Sequence, residues 1–260
     1  MVQAPVISNG DSPLPGEIVE LPVDSEIFGF FVAEYRPNVA ALGAGKTGRA
    51  LSGVREQLET RSLRLISARL PASEHRAIAA LADAGFKIVD YALTAHLSRL
   101  HRAKLPTAHA SLRPARVGDL PRLEQIAETS FQFGRYHTDG EFPRPLANRR
   151  YRRWVGHAMR ELSESNIMLV LESAGRVAGF MHVGLDHGHA ELKLGAVDVA
   201  LENGLLGYQL YVNTLGHLQA AGVREVSARI SAANTAVMNL YAGLGFQFER
   251  PEAVFHLHLL

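Results

Sequence analysis

Two residues near the C-terminus have side chains that could take part in chemistry, the amide of Asn234 and the phenol of Tyr241. Both lie on one stretch of sequence with helical spacing. Residues 225–230 have the pattern of a strand, and 234–244 have that of a helix followed by Gly245. Asparagine caps helices because its side-chain oxygen accepts an orphan backbone N–H, and glycine tolerates the positive φ that follows a helix end. One apolar stripe of this helix packs on a sheet and carries the phenol with it: Val237, Leu240, Tyr241 and Leu244. A tyrosine in such a stripe is either a core residue or a proton donor.

The same pattern occurs earlier in the chain. Residues 67–86 align without gaps on 227–246, with identities that include the closing Gly-Phe pair. At the positions of Asn234 and Tyr241, the first copy has Glu74 and Leu81. We therefore predict that a strand, capped helix and strand unit occurs twice, and that only the second copy carries chemistry.

Two regions follow a short arm in the predicted domain organisation. Residues 1–16 are rich in Pro, Gly and Ser and predict a flexible arm, and 21–37 predict a turn and then a buried strand. A polar linker with Pro106 places the boundary between residues 100 and 111. We expect a first domain over 17–105 and a second over 108–260.

The second region has the pattern of a complete α/β domain. A short strand near 112–114 precedes a helix with Asp119 as N-cap, and a basic helix with Trp154 follows. Three antiparallel strands then turn at Gly175 and Gly188. A glycine-bearing turn at 202–207 leads into a helix over 206–220, and such a helix N-terminus exposes backbone N–H groups that suit a pyrophosphate.

Composition excludes several classes of protein. The net charge of +1, from 27 basic and 26 acidic side chains, gives no global field for nucleic acid or an anionic membrane. The absence of cysteine removes disulfides, thiolate metal sites and cysteine nucleophiles. No secretory signal pattern occurs, and no apolar run reaches the roughly 20 residues of a membrane span. We expect a cytoplasmic protein.

Two further motifs have weaker interpretations. The run 41–50 contains Gly45, Lys46 and Thr47 but has Ala40 where a phosphate-binding loop requires its first glycine, which favours a surface loop. Histidines at 182, 187 and 189 favour a polar hairpin tip over a metal site. We predict no metal.

The pattern Asn-x-Ala-x-x-x-Leu-Tyr-x-x-Leu-Gly-Phe at 234–246 resembles the C-terminal motif of the GNAT N-acetyltransferase superfamily. The resemblance implies an α/β fold with a mixed, mostly antiparallel sheet flanked by helices, preceded by a degenerate N-terminal half. It also implies transfer of an acetyl group from acetyl-CoA to a primary amine. Tyr241 would donate a proton to the leaving thiolate, and Asn234 would position the pantetheine arm.

The same resemblance assigns the donor site. Backbone groups of Val197 and Val199 would hold the pantetheine, and the turn would hold the pyrophosphate. The implied cofactor-binding residues are Val197, Val199, Asn203, Gly204, Leu205, Leu206, Gly207, Tyr208, Asn234 and Tyr241. Two positions depart from the family pattern, since Leu205 replaces a glycine and Glu202 replaces a cationic or neutral residue.

Two other segments resemble dTDP-fucosamine acetyltransferases within that superfamily. The first contains Asp24, Ser25, Phe28 and Gly29; the second contains Arg135, His137, Asp139, Tyr151 and Trp154. The implied acceptor is a nucleotide-linked amino sugar, with Arg135, His137, Asp139 and His182 as substrate-binding residues. His137, Asp139, His182 and water are candidate bases. Neither nucleic acid nor a membrane is an expected partner, and a homodimer is left open.

Two alternatives to amine acetylation stay open. The departures at the turn fit a non-catalytic acyl-CoA-binding module. The fold would also suit an enzyme that uses another acyl group or lyase chemistry.

Overall fold

The computed structural model describes residues 16–42, 63–107, 110–201 and 205–259. Within them, the helices are α1 (Pro22–Phe28), α2 (Val39–Leu42), α3 (His75–Asp83), α4 (Leu120–Ser130), α5 (Arg144–Arg160), α6 (Leu205–Ala220) and α7 (Thr235–Gly243). The strands are β1 (Gly16–Glu20), β2 (Phe31–Pro37), β3 (Leu63–Pro71), β4 (Lys87–Leu97), β5 (Ser111–Pro114), β6 (Asn166–Ser173), β7 (Arg176–Asp186), β8 (His189–Val197), β9 (Glu225–Ser231) and β10 (Gln247–His258).

The chain forms two compact units that are not continuous in sequence. The first unit contains Met1–Ala92, Gly134–Leu146 and Arg250–Leu260, and the second contains Leu93–Phe133 and Ala147–Glu249. The backbone passes between units within β4 and again within β10. The domain boundary that the sequence predicts between residues 100 and 111 stays a prediction.

The first unit is a small sheet with helices packed on it. β1 pairs with β2 and β10 with β3 in antiparallel fashion, whereas β2 and β3 are parallel. Its core includes Leu81 of α3 and Phe86, and both are almost completely buried. The predicted first copy of the repeat is therefore a strand, a helix and a strand. The helix is held in place because one of its faces is buried.

The second unit is an antiparallel meander extended by one parallel strand. β5, β6, β7 and β8 pair in that order, and β9 then pairs parallel with β8. Gly175 and Gly188 adopt φ values of 72° and 85° in the turns, as predicted. Alternating side chains of β7 enter two cores: one includes residues of α6 and α7, the other residues of α4 and α5. The predicted fold class, a mostly antiparallel mixed sheet flanked by helices, is confirmed.

Three local predictions need correction. The expected turn before β2 is the helix α1, because Pro22 suits its first turn and Gly29 ends it with a left-handed φ of 76°. Asp119 does not cap α4 with its side chain; its carboxylate binds Arg113 and the backbone N–H of Arg116. His182 is a buried strand residue and not part of a polar tip.

The flexible arm is predicted over 1–16; its last residue, Gly16, begins β1, and residues 1–15 and the Gly-Lys-Thr run lie outside the described residues. Across the part of the chain that is described, no helix is both long enough and apolar enough to cross a membrane.

Candidate functional site

The second unit contains two parallel strands that pair for only part of their length. β8 and β9 are in register from His189 opposite Glu225 to Leu192 opposite Ala228. The next residue, Lys193, is a bulge: Leu192 and Leu194 face consecutive residues of β7, which leaves Lys193 without a counterpart. Bulges bend a strand and increase its twist. The described pairing therefore leaves the last part of β8, up to Val197, without β9 beside it.

The backbone of Val197 faces this unpaired side. The next residue, Asp198, donates its N–H to the carbonyl of Ala178 on the β7 side, at 2.8 Å. Successive residues of a strand direct their polar groups to opposite sides, so the N–H and C=O of Val197 point away from β7. Ser130 Oγ donates to that carbonyl at 2.8 Å. The peptide groups at the end of β8 are thus held in place. The N–H of Val197 points to the side of β8 on which β9 no longer pairs.

The end of β8 is anchored by a buried carboxylate. Asp198 forms an ion pair with Arg122 and accepts the N–H of Ala200 at 3.0 Å. Val199 follows in a short turn and is exposed. These contacts of Asp198 hold the end of β8 in place without pairing to β9.

The pyrophosphate site is predicted at the start of the helix that follows this turn. Leu205 is exposed at the first position of α6, Leu206 is buried, and Gly207 and Tyr208 are partly exposed. Among the described residues, a methyl group added at Gly207 would meet no atom within 4 Å outside its chain neighbours and the backbone of its own helix. Asn203 and Gly204, with Glu202, lie outside the described residues.

Asn234 is the N-cap of α7, as predicted. Its Oδ1 accepts the backbone N–H of Val237 at 3.3 Å, and Gly245 takes a φ of 86° after the helix. Because the cap uses only the oxygen, the amide N–H₂ donors stay available. The predicted contact between Asn234 and pantetheine stays a prediction.

Tyr241 is buried among aromatic rings of the second unit. Its ring packs edge-on against Tyr211 of α6, at 5.2 Å between centroids, and at a tilt of 49° against Phe246, at 4.6 Å. Burial, the neighbouring Tyr211 and a hydrogen bond between the two hydroxyls raise the pKa of Tyr241 well above its ordinary value. The phenol therefore holds its proton throughout the neutral range. Sequence reasoning missed Tyr211, although its position on the inward face of α6 was a signal.

Arg135, a predicted substrate-binding residue, forms polar contacts with other side chains of the first unit. Its guanidinium binds the buried Asp24 carboxylate at 3.2 Å and the Tyr136 hydroxyl at 2.9 Å. The Tyr136 hydroxyl itself donates to Asp24 at 2.7 Å. Asp24 is 111 residues from Arg135, so two segments that are distant in sequence meet here. Their contact is a structural link within the unit.

Asp139 is also engaged within the first unit. Its Oδ2 lies 2.6 Å from His256 Nδ1 and 2.8 Å from His258 Nε2. Burial lowers the pKa of His256 to about 4, so this imidazole is neutral at pH 7. Although burial alone would raise it, the pKa of Asp139 is lowered, because both imidazoles and a backbone N–H bind the carboxylate. Sequence reasoning overlooked the alternating histidines 256 and 258, whose spacing on a strand places both on one face.

His182, another predicted substrate residue, lies in the second unit. Its Nε2 is 2.7 Å from Asn166 Oδ1, and because an amide oxygen only accepts, the imidazole carries its proton there. Burial, assisted by the charge of Lys193, lowers the pKa of His182 to about 4. His137 is half-buried in the first unit. The substrate-binding roles of all four residues stay predictions.

Solved structures share this architecture at low sequence identity. A GCN5-related N-acetyltransferase from Sphaerobacter thermophilus superposes with a TM-score of 0.65 and 14% identity, over 94% of this chain and 76% of its own. One from Kribbella flavida gives a TM-score of 0.62 and 12% identity, over 98% and 89%. The chain has the fold of the GCN5-related N-acetyltransferases.

A tandem GNAT protein from the clavulanic acid biosynthesis pathway shares the GNAT fold as well. Its TM-score is 0.58 at 15% identity, over 88% of this chain and 75% of its own. No protein-family model matches the sequence, and neither does any curated protein sequence. At these identities the similarity establishes the fold, and the activity has to be argued from the residues of the site.

Proposed function

We propose that this protein transfers an acetyl group from acetyl-CoA to a primary amine of a small molecule. The observation that carries the proposal is the early end of the pairing between β8 and β9, with the N–H of Val197 directed to the unpaired side of β8. An extended amide-containing chain can add to such a strand as a further strand. The pantetheine arm of coenzyme A has this chemistry.

Gly207 supports a donor diphosphate at the start of α6. A glycine at this position would allow a bound group to approach the backbone closely. The positive end of the α6 dipole favours an anion at that place. The exposed side chain of Leu205 would have to turn away from the bound diphosphate.

Val197 and Tyr241 would have separate roles in the transfer. The donor supplies an acetyl thioester, whose carbon–sulfur bond breaks as the amine nitrogen bonds to the carbonyl carbon. The N–H of Val197 would hydrogen-bond to the carbonyl oxygen as negative charge develops on it. Tyr241 would give its proton to the departing thiolate, and the phenol holds that proton at neutral pH.

The proton that the amine loses requires a separate acceptor. His182 is a poor proton acceptor, because an imidazole with a pKa of about 4 is a weak base that is almost entirely unprotonated at pH 7. Asp139 is bound by two imidazoles and a backbone N–H, which stabilises its ionised form. We therefore favour removal of this proton through water.

A nucleotide-linked amino sugar is our proposed acceptor. The support is the motif similarity around Asp24 and around Arg135 and Asp139. These side chains bind protein groups of the first unit, so the proposed acceptor rests on the motif similarity alone.

A thiol-release assay tests the proposal directly. Because the chain has no cysteine, a thiol reagent reports only the coenzyme A that is released. Acetyl-CoA would be supplied with dTDP-amino sugars, simple amino sugars, polyamines and amino acids, and release should require one of these amines. Calorimetry without an amine gives the affinity for acetyl-CoA. Binding without release would favour the non-catalytic module, and no binding at millimolar acetyl-CoA would refute the proposal.

A further inference from the structure

The cluster of Asp139, His256 and His258 in the first unit has the composition of a metal site. The ligand atoms of these three side chains all lie within 4.8 Å of one another, and the described residues contain no other such group. We propose that this cluster binds a divalent first-row transition ion of the zinc type. This goes beyond acetyl transfer and differs from the sequence-based prediction of no metal.

The backbone presents the two imidazoles together. His256 and His258 are alternate residues of β10, opposite Ser67 and Leu65 of the neighbouring β3. Alternate residues of a strand project from the same face, so both imidazoles reach one carboxylate oxygen of Asp139. The register with β3 fixes the strand that carries them.

The donor set suits an ion of this kind. Two imidazole nitrogens and one carboxylate oxygen bind zinc, cobalt, nickel or iron(II), and they leave at least one position for water. Bonds of about 2.0–2.2 Å would separate neighbouring ligand atoms by roughly 3.3 Å in a tetrahedral site. The present separations of 2.6 and 2.8 Å therefore need to open slightly. His258, with 23% of its side chain exposed, can provide this movement and admit water.

A second set of contacts orients the carboxylate. Asp139 Oδ1 accepts the backbone N–H of Glu141 at 2.9 Å, which leaves Oδ2 directed at the imidazoles. Ligand carboxylates are commonly held by such outer hydrogen bonds. The nearby Arg135 is paired with Asp24, so the negative charge of Asp139 is left for a cation.

Binding would join distant parts of the chain. Asp139 is 117 residues from His256 and 119 from His258. An ion that binds only this folded arrangement would stabilise it by mass action. The proposed role is to fasten the segment Gly134–Leu146 to β10 within the first unit.

Zinc binding by the untagged full-length chain tests this inference. After the chain has been loaded with zinc and the free ion removed, elemental analysis should find one zinc ion per chain, and zinc should raise the melting temperature. His258→Gln and Asp139→Asn should each weaken zinc binding by at least the about 10- to 100-fold that even an outer-shell partner contributes. His187→Gln is the matched control, because that histidine is fully exposed and should leave binding unchanged.

X-ray absorption of the zinc-loaded native chain keeps the test decisive if a variant fails to fold. We expect two imidazoles in the inner shell. A shell without imidazole, no zinc bound at micromolar concentration, or unchanged affinity in both folded variants would overturn the site and leave the cluster as a set of hydrogen bonds. None of these outcomes depends on acetyl transfer.

Discussion

The two copies of the repeat share a backbone pattern, and at the two positions where the second copy has polar side chains, Asn234 and Tyr241, the first has Glu74 and Leu81. Phe86 donates its N–H to the Leu81 carbonyl at 3.0 Å, and Phe246 does the same to Tyr241. The glycines after the helices have φ values of 89° and 86°. The backbone pattern thus needs an apolar stripe and a final glycine, and it tolerates either leucine or tyrosine at the buried position.

The strands beside the two helices differ as well. In the first unit, β2 and β3 stay paired up to Tyr35, close to the end of β2. In the second, pairing of β8 with β9 stops at Leu192, well before the end of β8. The polar side chains therefore occur in the copy whose strands separate, and this coincidence is the basis for assigning the chemistry to the second unit.

Tyr241→Phe should have the largest effect. The change retains the ring and its packing and removes the proton, so turnover should fall by about 10²- to 10⁴-fold with little change in acetyl-CoA affinity. Tyr91→Phe, at an exposed tyrosine of the first unit, is the matched control for turnover measured by thiol release. A tyrosine with only a packing role would instead lose about 1 kcal/mol of stability and keep normal turnover.

Leu81→Ala should affect stability and leave the chemistry intact. Leu81 is fully buried, so its truncation should lower the free energy of unfolding by about 2–5 kcal/mol in denaturant titrations. Acetyl-CoA affinity, corrected for the folded fraction, should not change. If the variant folded and had lost acetyl-CoA binding, the first copy would be the working one.

Asn234→Ala should cost about 1 kcal/mol of stability, because the α7 cap is lost. Glu74→Ala at the matching position should stay within about 0.5 kcal/mol, because the Glu74 side chain makes no cap hydrogen bond. Thermal unfolding of both variants provides the comparison, and equal losses would contradict it.

Asn234→Ser separates the cap from the predicted contact with pantetheine. Serine retains a capping oxygen but removes the amide donors, so stability should be retained while acetyl-CoA affinity falls. Calorimetry that gave the native affinity would limit Asn234 to its structural role.

Features that depend on neighbouring residues could be predicted from the sequence. The cap at Asn234 and the turn at Gly175 follow from local backbone requirements, and both are present. The contacts of Asp24 with Arg135 and of Asp139 with His256 join residues more than a hundred positions apart, and no local pattern indicates them. The edge-on ring contact of Tyr241 with Tyr211 likewise depends on how two helices pack.

Hydrogen exchange with and without millimolar acetyl-CoA tests the central claim most directly, because it locates donor binding without an amine or a variant. We expect slower exchange for the amides of Leu194–Val197, where β8 is no longer paired with β9, and of Leu205–Tyr208, where α6 begins. The amides of 31–37 and 63–86 in the first unit should exchange at unchanged rates. Slower exchange confined to 63–86, or no change anywhere, would contradict the assignment of acetyl-CoA binding to the second unit.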